Sequence, residues 1–325
     1  MPGRFSVTVA VALIAAGCAG SGARRAAEPV PQSPRWVRAT PQQEGIDIHA
    51  LDRTDLKGVT SLLVARHGRL VVERYYDGVQ AADRVPVFSI TKTVVSALVG
   101  IAIADGRLHG VDDRLADVLP DTPHRSITLR ELLSMTAGYG RGLTFQQTDP
   151  SSLANRPLVN EPGTTFVYDS GSSDLLAAVL SRVTGTSAAA YAQLRLFGPM
   201  GIRDARWPGS RGGGSGLVLR PRDLLAFGQM YLNGGTWNGR RIVPAAWVRT
   251  STHAHVDVPP DQGITDAYGY DWWVDRRLHV FAAHGYLGQA LVVVPRLDEV
   301  VLLTSSGEGG GTLDVLRSVL AATHA

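Results

Sequence analysis

The period of the apolar positions changes along the chain. Residues 61–76 read SLLVARHGRLVVERYY, two β-rich runs split by His67-Gly68, and predict a hairpin. After Ser89 the stretch TKTVVSALVGIAIADG is apolar on almost every side, which predicts a buried helix stopping at Asp105-Gly106. TLRELLSMTAGY predicts a helix over 128–139, opened by Thr128 and Glu131 as a capping box. SSDLLAAVLSRVTG, SAAAYAQLRLFGPMG and RPRDLLAFGQMYLNGG predict three more helices, the first two closed by glycine. Beyond WNGRRIVPAAWV strands return in YGYDWWV, LHVFAAHG and QALVVVPRLDEVVLLTSS, with Pro295–Asp298 as the last turn. TLDVLRSVLAAT ends the pattern as a helix. Strands at both ends and helices between them predict an α+β fold. An antiparallel sheet is built from both termini and flanked by helices, with an all-helical subdomain beside it.

Composition agrees with a folded domain. The chain has 325 residues, 44% of them hydrophobic and 19% charged, enough for a large core and too apolar for disorder. Its cations are scattered without a run of five, so no nucleic-acid partner is expected. The start has another texture: one early cation, an apolar stretch from Val7 to Ala16, then small residues before Cys18. That layout reads as a signal peptide over 1–17. A tether rich in Ala, Gly, Ser, Pro and Arg follows over 18–41, and the globular domain over 42–325. The small residues before the chain's single cysteine resemble a bacterial lipobox, with Ala15 where leucine is usual. Cys18 is then the lipid-bearing first residue of an exported, envelope-bound lipoprotein, whose only membrane contact is that anchor. The alternative is a plain cleaved signal peptide.

Candidate chemistry starts at FSITKTV, residues 88–94. Only two of the chain's 32 cations are lysines, Lys57 and Lys92. Arginine holds its proton at working pH and cannot act as a base, whereas lysine can lose one when desolvated. Lys92 stands three residues after Ser89, on the same helical face, so an uncharged or proton-sharing lysine could activate the serine. The alternative is a serine N-cap with a lysine extending to solvent. Tyr168 precedes Asp169-Ser170-Gly171 at a helix start. It is either a packing residue or, beside a cation, a proton carrier. His284-Gly285-Tyr286-Leu287-Gly288 ends a strand in glycine-rich backbone that can approach a ligand and offer N–H groups to an oxyanion. A bulged edge strand with an incidental histidine would look the same.

Other motifs carry less. His253 and His255 have chelating spacing but no third ligand, so no metal is expected. The glycine cluster RGGGSGL at 211–217 lacks the lysine of a phosphate cradle and reads as a plain loop.

Taken in order, Ser-x-x-Lys at a helix start, Tyr168 in the helical block 79 residues after Ser89, and His284-Gly285 a further 116 residues on carry a family resemblance. The chain resembles the serine β-lactamase and penicillin-binding protein superfamily, in its class C β-lactamase-like branch. GSGLVLRPRDLLAFGQMYLNGGTWNGRRIVPAAWV and YGYDWW look like that branch's middle region, and HGYLGQ is similar to its esterase, D-aminopeptidase and nylon-oligomer hydrolase members. The resemblance implies a β-lactamase/transpeptidase-like fold and a serine hydrolase acting on a small-molecule amide or ester without a cofactor. Ser89 is implied as nucleophile, Lys92 as its proton partner and Tyr168 as general base and acid. The oxyanion is implied to be held by the N–H groups of Ser89 and Leu287.

Two departures shape the expected substrate. Where β-lactamases and carboxypeptidases have Tyr-x-Asn this chain has Tyr168-Asp169-Ser170, and serine lacks the amide. Where they have Lys-Thr-Gly it has His284-Gly285-Tyr286, which gives up a fixed positive charge. Both argue against efficient β-lactam hydrolysis and, together with the bulk of Tyr286 and Leu287, point to less charged, more apolar amides and esters. The competing readings are a β-lactamase or D-Ala-D-Ala carboxypeptidase, and a catalytically silent envelope protein of the same fold.

Overall fold

The computed structural model describes residues 35–141, 149–208, 213–307 and 312–323. The expected signal peptide and Cys18 lie outside the described residues.

Nine strands form one sheet among the described residues: β1 (Val37–Arg38), β2 (Val59–Arg66), β3 (Arg69–Tyr75), β4 (Val256–Asp257), β5 (Ala267–Tyr268), β6 (Trp273–Asp275), β7 (Val280–Gly285), β8 (Gln289–Val294) and β9 (Glu299–Ser305). Their order is β1-β3-β2-β9-β8-β7-β6-β5-β4. β2 and β3 form the hairpin expected at His67-Gly68. The two ends of the chain meet where β9 pairs antiparallel with β2, Val301 opposite Val64 and Leu302 opposite Leu63. One pairing departs from the expected antiparallel sheet, because β1 runs parallel to β3 with Val37 opposite Arg69. β1 lies inside the stretch read as tether, and beside it Trp36 packs edge-on against Trp237 with ring centroids 5.4 Å apart.

Side chains alternate across a strand, so a sheet whose central strands are buried at nearly every position must be covered on both faces. Among the helices are α1 (Thr91–Ala104), α2 (Leu129–Leu133), α3 (Ser170–Thr184), α4 (Pro221–Leu232) and α5 (Thr312–Ala322). Val315 and Val319 of α5 join Leu62, Val64, Val301 and Leu303 on one face. Leu224 and Phe227 of α4 join Leu63, Ala65, Val300 and Leu302 on the other. The helical block extends that second core, with α3 packed on α1. As its pattern predicts, α1 is buried on all sides from Thr91 to Ala102.

α2 is shorter than the helix predicted over 128–139. Its capping box is present, with Thr128 N–H donating to Glu131 Oε2 at 2.6 Å. The helix stops at Leu133, because Met135 and Gly138 take positive φ of 59° and 87° and turn the chain away.

Candidate active site

Val85–Pro86 pairs with Val218–Leu219, and a single 3-10 turn, Phe88–Ile90, then leads into α1. Phe88 sits in the left-handed region at φ 47°, a conformation that costs an L-residue about 1–2 kcal/mol. That turn places Ser89 at the mouth of the helix. Lys92 is 1% exposed, and its Nζ donates to Ser89 Oγ at 3.0 Å, Ser170 Oγ at 3.2 Å and the Gly214 carbonyl at 2.7 Å. Both features of the bland reading are therefore missing. The lysine does not extend to solvent, and the start of α1 has no side-chain capping bond.

The second motif arrives at the same ammonium. Asp169 is the N-cap of α3, accepting from Gly171 N–H at 3.2 Å and Ser172 N–H at 2.9 Å. Arg156 grips it with two bonds of 2.9 and 2.7 Å, and the guanidinium lies over the Tyr139 ring, 4.2 Å from its centroid. The cap fixes its two neighbours. Ser170 faces Lys92, and the Tyr168 ring stands with its centroid 5.2 Å from Lys92 Nζ. That ring stacks on Trp273 at 5.4 Å, which sets its plane. Tyr168 thus packs and also lies beside a cation.

The third motif flanks the Phe88–Ile90 turn. A Cβ on Gly285 would meet the Val87 carbonyl oxygen at 2.4 Å, so only glycine lets the end of β7 lie against the residue before Phe88. Tyr286 meets Phe88 edge-on, ring centroids 5.7 Å apart. Leu287 adopts left-handed backbone, φ 64°, and is 37% exposed. His284 stands opposite Ala290 on β8. Desolvation pushes its imidazole down to about 4, although part of the residue still reaches solvent, so it is uncharged at neutral pH.

Sequence reasoning missed two contributors, both in the glycine loop. The loop read as plain supplies the third acceptor of Lys92 through Gly214, whose own N–H donates to Asp174 Oδ1 at 2.7 Å. A Cβ on the preceding Gly213 would lie 1.8 Å from the Ser173 carbonyl oxygen, so this loop can seat on α3 only with glycine there. Behind α3, Asp271 is 2% exposed in the turn between β5 and β6 and accepts from Ser173 Oγ at 3.3 Å. The requirement for a bare backbone at 213 was the one available signal. His253 and His255 remain exposed, and no cluster able to hold a metal ion is found among the described residues.

A buried lysine bonded to a half-buried serine hydroxyl, beside a phenol and under a glycine-lined strand end, can deprotonate the serine and receive an oxyanion. The family model described as Beta-lactamase matches residues 48–325. A 6-aminohexanoate-dimer hydrolase of Paenarthrobacter ureafaciens is 26% identical over 313 residues, covering 82% of this chain and 80% of its own. A lovastatin esterase of Penicillium rubens is 29% identical over 197 residues, 48% of each chain. In fold, the chain is similar to a D-stereospecific amidohydrolase from Streptomyces, with a TM-score of 0.70 at 20% identity, over 86% of this chain and 100% of that one.

Proposed function

The chain belongs to the Beta-lactamase family and is a serine hydrolase, and from that premise we propose that it cleaves a small, uncharged amide or ester through an acyl-enzyme on Ser89. The observation that carries the assignment is the 3.0 Å bond between buried Lys92 and Ser89 Oγ. In the proposed reaction Lys92 and Tyr168 jointly take the Ser89 proton as Oγ attacks the carbonyl carbon. The tetrahedral oxyanion is held by the N–H groups of Ser89 and Leu287. Tyr168 returns the proton to the departing amine or alcohol, leaving the acyl group on Ser89. Water then attacks the ester by the same proton route, releasing the acid and restoring the serine.

Uncharged His284 and the apolar lip of Phe88, Tyr286 and Leu287 support substrates without a carboxylate beside the scissile bond. The relatives named for amide and ester hydrolysis point the same way. The N-terminal pattern supports export with lipid attachment at Cys18, and mass spectrometry of the mature N-terminus tests it. A fluorophosphonate probe should label the folded protein and not its Ser89→Ala variant; Ser89-independent labelling, or none, overturns the assignment. A panel of p-nitrophenyl esters, small amides and β-lactams tests the substrate class. Rapid β-lactam turnover with negligible ester hydrolysis would replace this reading with that of a β-lactamase.

A further inference from the structure

Leu287 holds a backbone conformation that its own side chain opposes. It sits at φ 64° and ψ 18° in the turn Tyr286–Gly288 between β7 and β8, where a residue other than glycine persists only if its surroundings hold it. The restraint comes from a side chain that the reaction above leaves unused. Gln289, the first residue of β8, is 2% exposed. Its Oε1 accepts from Ser305 N–H at 3.2 Å, and its Nε2 donates to the Ser305 carbonyl at 2.7 Å and the Tyr286 carbonyl at 3.3 Å. The Ser305 N–H decides which end of the amide is oxygen, and both amide hydrogens then have an acceptor. Backbone pairing of β8 with β9 ends one step earlier, at Ala290 opposite Leu303. The Gln289 carboxamide thus takes the place of a backbone partner for Ser305 and reaches the turn with its remaining hydrogen.

We propose that Gln289 is a positioning residue that aims the Leu287 N–H at the oxyanion. The Tyr286 carbonyl and the Leu287 N–H belong to one peptide group, which is planar and trans, so they point in opposite directions. A hydrogen bond that fixes the carbonyl therefore fixes the N–H as well and turns it away from the buried amide. Two glycines make room for this arrangement. A Cβ on Gly285 would lie 2.9 Å from Gln289 Cβ, and one on Gly307, just past β9, would lie 2.6 Å from Leu287 Cδ2. A clamp serving only the strand end would need the two bonds to Ser305 alone. The third bond, to Tyr286, is the one that reaches the peptide group of interest. Because Ser305 ends β9, a central strand, the turn is referenced to the middle of the sheet rather than to another loop. The consequence for catalysis rests on the serine hydrolase reading, in which Leu287 is one of two oxyanion donors.

Gln289→Met keeps the volume and removes all three bonds, whereas Gln289→Glu keeps the acceptor for Ser305 N–H and sets an oxygen against both carbonyls. In each variant kcat for a p-nitrophenyl ester should fall about 10²-fold with KM within about threefold of wild type, because the loss falls on the transition state. A boronic acid, whose adduct with a serine is tetrahedral, should lose affinity by a similar factor. Circular dichroism and thermal melting establish that the variants compared are folded; should Gln289→Met fail to fold, the near-isosteric Gln289→Glu carries the same measurements. The crystal structure of the folded variant should show the Tyr286–Leu287 peptide rotated and Leu287 out of the left-handed region. Leu287 still near φ 64°, or a fall in kcat of less than about threefold, overturns the proposal. A rise in KM with kcat kept overturns it too, since that marks a role in ground-state binding. Absence of Ser89-dependent labelling in the wild type would count against the hydrolase reading instead, and the variant's crystal structure would still judge the clamp without any turnover.

Discussion

The Arg156–Asp169 fork is the contact on which the middle motif depends, and its removal has a calculable cost. The Asp169 side chain is 2% exposed and that of Arg156 22%. Arg156→Gln strips two charge-assisted bonds from a buried carboxylate, a change that costs roughly 3–5 kcal/mol when nothing else compensates. Here Gly171 N–H, Ser172 N–H and Ser172 Oγ still donate to Asp169 at the start of α3, which offsets part of the loss. The stacking on Tyr139 is lost as well, worth about 0.5–1 kcal/mol. The expected net destabilisation is about 3 kcal/mol at neutral pH, read by urea denaturation. Adding Asp169→Asn should recover part of it, because the buried charge goes while an asparagine can still cap. A double-mutant cycle should therefore give a coupling of about 1.5–3 kcal/mol. Because Asp169 sits between Tyr168 and Ser170, kcat should fall more than KM rises. A coupling below ~0.5 kcal/mol, or an Arg156→Lys variant as stable and active as wild type, would refute the argument, since lysine keeps the charge without the fork.

Lys92→Arg should nearly abolish acylation although it keeps the charge, and Tyr168→Phe should lose orders of magnitude in rate; wild-type rates in Lys92→Arg, or a change under about threefold in Tyr168→Phe, would remove that residue from the mechanism. Glu299 is buried beside Thr323, and burial raises its pKa from 4.5 to about 7. The folded state thus holds this proton more tightly than the unfolded chain, so its contribution is complete below pH 4.5 and is lost as pH climbs through 7. Glu299→Gln should then match wild type near pH 4.5 and exceed it by up to about 3 kcal/mol at pH 8 in urea melts; equal slopes of stability against pH would contradict this. With His284 held near 4, kcat/KM for uncharged esters should show no step from imidazole titration between about pH 5.5 and 8. An inflection near pH 6.5 that disappears in His284→Gln would show that the ring is solvated and titrating.

What could be read from the sequence was what depends on short-range pattern. The all-apolar run after Ser89 had to be a buried helix, and the β-rich runs at either end predicted strands. The union of both termini in one sheet followed. The 128–139 pattern misled because its apolar periodicity continues past Leu133, while the positive φ of Met135 answers to tertiary packing that no local preference announces. The parallel edge strand at Val37 was hidden inside a composition that reads as linker. At the site, Ser89, Lys92 and Tyr168 were legible because each carries a chemically distinctive side chain at a telling position. Gly214 acts through its backbone carbonyl, which no residue type advertises. Asp271 stood inside a run that reads as strand, and only the fold shows it turning inward behind Ser173.

The acceptors of Lys92 come from three separate stretches of chain. Ser89 is three residues away, but Ser170 and Gly214 are 78 and 122 residues distant. Contacts at such separation form after local ones, because loop closure must precede them. Helix α1 can therefore form early with its Ser-x-x-Lys pair already in register, yet that pair stays chemically ordinary until α3 and the 213–217 loop dock. If Ser89 is acylated as proposed, its reactivity should be acquired late in folding, and a partly opened molecule that releases the glycine loop should lose acylation before it loses helix. A serine-directed probe would then count the molecules whose helical block is fully closed, which circular dichroism would not distinguish from the rest.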